Sequence, residues 1–238
     1  MGKFGRLAGA VLLSGFGMAV VAGVVVVGLK VLAEPGWKAK TTTTDLADLQ
    51  PLATRSVVYA RDGSVLTRWH AEEDRLPVPL ERVPPHVVRA VLDAEDDRFF
   101  EHGAIDLRAL GRALAVNVES GSVSEGGSTI TQQLVKVSLL GSKQNLERKV
   151  QEVALALRLE SGSTKEQILE RYLNTVYFGN GAYGLQAAAE RYFGTDVDKL
   201  TMGQGVLLAS LIRNPVRADP YIDGGTRAIE RRAAVVDR

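Results

Sequence analysis

The 238-residue sequence has no cysteine. That excludes a disulfide framework, thiolate zinc sites, iron–sulfur clusters and a cysteine nucleophile. Its three histidines, His70, His86 and His102, are scattered singly, so a histidine-rich metal site is not expected. There is no basic tract and the net charge is only +1, which argues against nucleic acid as a partner. No internal repeat is visible. What is present suits a folded protein. Charged residues make up 24% and apolar residues 45%, enough for one domain plus an appendage.

The composition is uneven at the start. Leu7 to Leu29 is a run of 23 residues without a charge. At a rise of about 1.5 Å per residue it is long enough for a hydrocarbon core of about 30 Å. It is also longer than the apolar region of a cleaved signal peptide, which favours an uncleaved anchor over residues 7–33 behind a short cytoplasmic tail, 1–6. Lysines and arginines flank both ends, so the positive-inside count does not orient it. Lys3, Arg6 and Lys30 put +3 into residues 1–33, leaving −2 of the total +1 for residues 34–238. The rest is therefore not held to anionic lipid by bulk charge. Residues 34–55, with Pro35, Gly36, four successive threonines and Pro51, read as a linker.

Beyond it, Ser56 to Thr67 predicts a hairpin with Asp62-Gly63 at the turn. Four prolines between 77 and 85 imply an extended stretch. Helical patterning then runs to the end. Helices are expected from Pro85 to about Phe100, Ser128 to Leu140, Leu146 to Leu159, after a capping box at Ser163–Glu166, from Leu185 to Phe193, and from a second box at Thr201–Gln204 to about Ile212. The fold class is mainly α.

The residue with the most chemical content is Glu95. It falls seven after Val88, four after Val91 and three after Leu92, so a helix sets this carboxylate on an apolar stripe. Burial there disfavours the charged form, which suits general acid–base work near neutral pH. The alternative is a helix end from which Glu95 escapes to solvent. Gly126 to Lys136 reads either as a loop feeding an anion-attracting helix start or as an ordinary capped helix. It is not a nucleotide-binding loop, since glycine stands where the lysine is needed. Arg148, Lys149 and Glu152 share a helix face. They form either a solvated ion pair or a polar surface for an anionic substrate. His102 is assigned a positioning role.

In order and spacing these stretches resemble the peptidoglycan glycosyltransferase family, the glycosyltransferase domain of class A penicillin-binding proteins and of monofunctional transglycosylases. The matching segments are Glu95 to Asp106, Gly126 to Lys136 with Ser-Thr-Ile-Thr-Gln-Gln intact, Arg148 to Glu152, and Ile168 through Asn174 and Gly179 to Gly194. Leu207 to Tyr221 is the loosest match, with Arg213-Asn214-Pro215 where many relatives have a different loop. The resemblance implies a lysozyme-like helical lobe with a small membrane-associated jaw over residues 56–238. It implies polymerisation of lipid II into glycan strands, with inversion at the sugar carbon and release of undecaprenyl pyrophosphate. Glu95 and Glu152 match the catalytic pair. Ser128, Thr129, Gln132, Gln133, Lys136, Arg148, Lys149 and Asn174 are the expected substrate-binding residues. Glu152 is also the expected ligand of a divalent metal ion, magnesium or manganese. The expected partners are lipid II, the nascent strand, the membrane and other cell-wall synthesis proteins, with the catalytic domain outside a bacterial cell membrane.

Two other functions fit parts of the pattern. A glycan-cleaving enzyme, lysozyme or lytic transglycosylase, also uses carboxylates on such a fold, but it needs no cationic pyrophosphate site. A non-catalytic wall-binding module would need neither Glu95 nor Glu152.

Overall fold

The structure, a computed structural model, describes residue 49 and residues 52–69, 73–120, 127–139 and 146–236. The anchor expected at 7–33 and most of the expected linker lie outside the described residues. Among the described residues no helix is long and apolar enough to cross a membrane. Leu49 is buried in the core. Arg55 is buried too, and its guanidinium donates to Glu190 at 2.6 Å, so the chain joins the folded body before the hairpin begins.

The described residues are mainly helical, with two small sheets. Strands β1 (Ser56–Tyr59) and β2 (Val65–Trp69) form the expected antiparallel hairpin. Asp62 accepts from the Ser64 amide at 2.9 Å and Gly63 takes a φ of 85°, as such a turn requires. Strand β3 (Asp74–Arg75) belongs to a second sheet completed about a hundred residues later.

Helix α1 (Pro85–Glu95) opens with Pro85 at its first position, where the missing N–H costs nothing. It buries Val87, Ala90, Val91, Leu92 and Ala94. It ends five residues before the expected Phe100. Asp96 leaves helical geometry at φ −164° and ψ 76°, because its carboxylate is drawn to Ile130 and His102. Phe99, no longer helical, is 1% exposed in the core, with the Lys165 ammonium 4.2 Å over its ring. Burial of that side chain is worth roughly 1.5–3 kcal/mol.

Helices α2 (Leu107–Ser120), α3 (Ile130–Leu139), α4 (Leu146–Gly162) and α5 (Lys165–Leu173) follow. The capping box of α5 lies one residue later than expected, with Thr164 and Gln167 exchanging hydrogen bonds. Ser163–Glu166 and Thr164–Gln167 both fit the motif. The later register places Ile168, Leu169 and Tyr172 fully inside.

Strands β4 (Tyr177–Gly179) and β5 (Ala182–Tyr183) close the second sheet in the order β3-β5-β4, with β3 parallel and β4 antiparallel to β5. Then come α6 (Leu185–Phe193), α7 (Met202–Leu211) and α8 (Thr226–Val236). The Thr201–Gln204 box at the start of α7 forms as expected. Helix α7 is central, packed by α1 on one side and α8 on another. Gly205 permits the α1 contact, since a Cβ there would meet Val87 at 2.9 Å.

Candidate active site

Glu95 is the last residue of α1, where a carboxylate would ordinarily turn to water. Instead its side chain is 3% exposed. Val91, four residues earlier on the same face, is fully buried, so the helix carries Glu95 inward. Two groups hold the carboxylate. Gln133 of α3 donates from Nε2 to Oε2 at 2.9 Å. Arg213, just past α7, places Nε 3.4 Å from Oε1. Gln133 is held in turn by Tyr172 of α5, whose hydroxyl donates to Gln133 Oε1 at 2.9 Å. Burial pushes the Tyr172 phenol well above its ordinary value of 10, and the charges of Glu95 and Asp96 add to the effect.

Glu95 opens into a cavity of about 330 Å³ that is also lined by Asp96, Asp97, Asp106, Ser128, Thr129 and the arginines Arg89, Arg112 and Arg213. It thus draws on α1, α2, the loop leading into α3, and the segment after α7. Asp96 and Asp106 set the near wall. Asp96 accepts from the Ile130 amide at 3.0 Å and faces His102 Nε2 at 2.7 Å. His102 thereby contacts the residue that follows Glu95. Asp106 caps α2 by accepting from the amides of Arg108 and Ala109 at 2.8 and 3.1 Å. Burial pushes the Asp106 carboxyl up, but the Ala109 amide, Arg98 and the Arg108 amide outweigh it and hold the group below its ordinary value.

The loop and α3 are sewn to the wall by buried side chains. Thr129 Oγ1 and Gln132 Nε2 both donate to the Ala104 carbonyl, at 2.8 and 3.1 Å. Lys149 of α4 donates to Ser128 Oγ at 2.8 Å and to Gln132 Oε1 at 3.2 Å, and it pairs with Glu152. Glu152 is 2% exposed. The structure therefore brings Glu95, Ser128, Thr129, Gln132, Gln133, Lys149 and Glu152 into one connected arrangement. Arg148 is half-buried on α4 and Lys136 is exposed on α3; neither lines the cavity. Asn174 lies elsewhere. Its amide is committed to the backbone of Val78, accepting from the N–H at 2.9 Å and donating to the carbonyl at 2.8 Å, which pins the extended stretch before α1 to the end of α5.

Sequence reasoning missed Arg89, Arg112 and Arg213 as cavity cations. Arg89 and Arg112 lie on helix faces without an apolar pattern to flag them. Arg213 meets Glu95 only through the packing of α7 on α1, which no local spacing encodes.

Asp96, His102 and Asp106 each offer an atom within 4.8 Å of the others, close enough to share a cation. Those atoms are already committed to one another, to backbone amides and to Arg98, so the trio works as a hydrogen-bonded clasp. Glu152 contributes a single carboxylate, already paired with Lys149.

The chain is 42% identical to penicillin-binding protein 1A of Escherichia coli (strain K12) over 181 residues, which is 76% of this chain and 21% of that protein. It is 43% identical to penicillin-binding protein 1A/1B of Bacillus subtilis (strain 168) over 182 residues, 76% of this chain and 20% of that one. The chain thus spans about a fifth of the length of these relatives. A crystal structure of penicillin-binding protein 1A from Haemophilus influenzae aligns at 23% identity with a TM-score of 0.42, covering 79% of this chain and 18% of that one. The transglycosylase family profile matches residues 62–238, most of the sequence and every element that builds the cavity, so the chain belongs to the transglycosylase family.

Proposed function

We propose that the chain is a peptidoglycan glycosyltransferase that polymerises lipid II into glycan strands. Glu95 acts as the base. It accepts the proton of the acceptor sugar's 4-hydroxyl as that oxygen attacks the anomeric carbon of the growing strand. The bond from that carbon to the pyrophosphate oxygen breaks as the new β-1,4 bond forms on the opposite face, and undecaprenyl pyrophosphate departs with the electron pair. A leaving group of such concentrated charge calls for cations and amide groups fixed in advance. Lys149 is the cation bonded to the cavity wall at Ser128, and Arg89, Arg112 and Arg213 add to the field. Lys136 and Arg148 are assigned to the flanking lipid-phosphate path. Glu152 orients Lys149.

The observation that carries this reading is a buried carboxylate opening into a cavity whose wall is bonded to the Lys149–Glu152 pair. Glu152 would be the protein's ligand for the expected divalent ion. The protein offers one carboxylate, and magnesium or manganese would take its other oxygens from the substrate's phosphates and water. Such an ion would neutralise charge on the leaving group; no step above depends on it. The anchor expected at 7–33 would keep the enzyme on the membrane that carries its substrate. Incubation of the full chain in detergent with labelled lipid II, with and without divalent metal, tests the reading. Products longer than the substrate are expected. Shortening of preformed glycan without growth from lipid II would establish a cleaving enzyme instead.

A further inference from the structure

Tyr172 is fully buried, yet it is a tyrosine and not a phenylalanine. A phenylalanine would fill the same core. A buried hydroxyl is costly unless it is hydrogen-bonded, and this one donates to Gln133 Oε1. The residue lies outside the cavity lining. Resting on the proposal that Glu95 is the base, we propose that Tyr172 is a positioning residue for it, acting through the Gln133 amide.

The directions of the hydrogen bonds leave little freedom. An amide has one donating and one accepting end, and the two look alike in shape. Against an ionised Glu95 the accepting end would be repelled, so Nε2 must face the carboxylate and Oε1 must face away. Tyr172 supplies a hydroxyl donor at that far end and thereby fixes the amide. Its phenol stays protonated because burial and the nearby carboxylates oppose its ionisation. The terminal torsion of a glutamate is soft. Here one oxygen is held by Gln133 and the other faces Arg213, so a contact at each oxygen restrains the carboxylate. The relay runs from α5 through α3 to the end of α1, which makes the aim of the base a property of three packed helices. A base misplaced by a fraction of an ångström loses rate without losing substrate.

The test is the lipid II kinetics of the full chain carrying Tyr172→Phe, Gln133→Ala or both. For Tyr172→Phe the expected result is a fall in kcat of about tenfold, with KM for lipid II within about twofold and the chain still folded. The double variant should be no slower than Gln133→Ala alone, because both changes break one relay. A kcat within twofold of the parent, a rise in KM in place of the fall in kcat, or losses that multiply in the double variant would each overturn the proposal. If Tyr172→Phe does not fold, Gln133→Met decides. A loss confined to kcat supports the relay, and a loss confined to KM makes Gln133 a substrate contact and overturns it. Glu95→Gln run alongside separates the two levels. An active Glu95→Gln removes the base itself. An inactive Glu95→Gln beside a fully active Tyr172→Phe removes only the role of Tyr172.

Discussion

Glu152 is nearly fully buried while its partner Lys149 is 41% exposed along its side chain. The pair therefore has an unequal response to mutation. Removing the lysine strands a buried carboxylate, which is strongly destabilising in a closed interior and less so here because water reaches the lysine. Lys149→Ala should cost about 2 kcal/mol in urea unfolding. Glu152→Gln keeps the shape and removes the charge, so it should cost under about 1 kcal/mol while still lowering polymerisation by about 100-fold. If the two variants lose equal stability, or if Glu152→Gln polymerises normally, the pair is a scaffold and not part of the reaction. The apolar stripe beneath Glu95 was legible in the sequence, a carboxylate four residues after a valine, but it left a turn to solvent at the helix end equally open. The contact of Glu95 with Arg213 was not legible, because its cause is tertiary.

Among the elements, α1 and α3 to α7 were legible, whereas α2 (Leu107–Ser120), α8 (Thr226–Val236) and the three-stranded sheet were not. Its strands are two or three residues long, too short for an alternating pattern. Asp74–Arg75 pairs with Ala182–Tyr183 across about a hundred residues. The end of α1 was misplaced because a side chain of the next residue, Asp96, captures the Ile130 amide in preference to continuing the helix. Two substitutions test how the elements are fixed. Asp106→Ala removes the α2 cap and the Arg98 partner and should cost about 2 kcal/mol. Because the folded carboxyl lies below the ordinary value of 3.8, its contribution is complete above that value and disappears as pH falls through the lowered one. The stabilities of the parent and of Asp106→Ala should therefore converge at the lowest pH, separate as pH rises, and differ by a constant amount above about pH 4; a difference that is constant at every pH would contradict this. Gly179 ends β4 with a φ of 97°, and a Cβ there would stand 2.6 Å from the Tyr192 hydroxyl and 2.9 Å from the Pro215 carbonyl. Gly179→Ala should cost about 3 kcal/mol, read as a lowered denaturation midpoint, and a variant as stable as the parent would mean that this turn is looser than described.

For the whole molecule, the two features that the proposed reaction uses arise from separate segments and are joined by tertiary bonds. The buried acid comes from α1. The Lys149–Glu152 ion pair comes from α4, and Ser128, which accepts from Lys149, lines the same cavity as Glu95. Residue types and spacing left each feature open, and the family resemblance singled both out. Their union depends on α3 packing against both α4 and α5, which no single motif states. The measurement that bears most directly on the account is polymerisation of labelled lipid II by Glu95→Gln in detergent, with circular dichroism to verify the fold. The account requires a folded protein that forms no glycan chains. Chain growth by Glu95→Gln within a few-fold of the parent rate would contradict it.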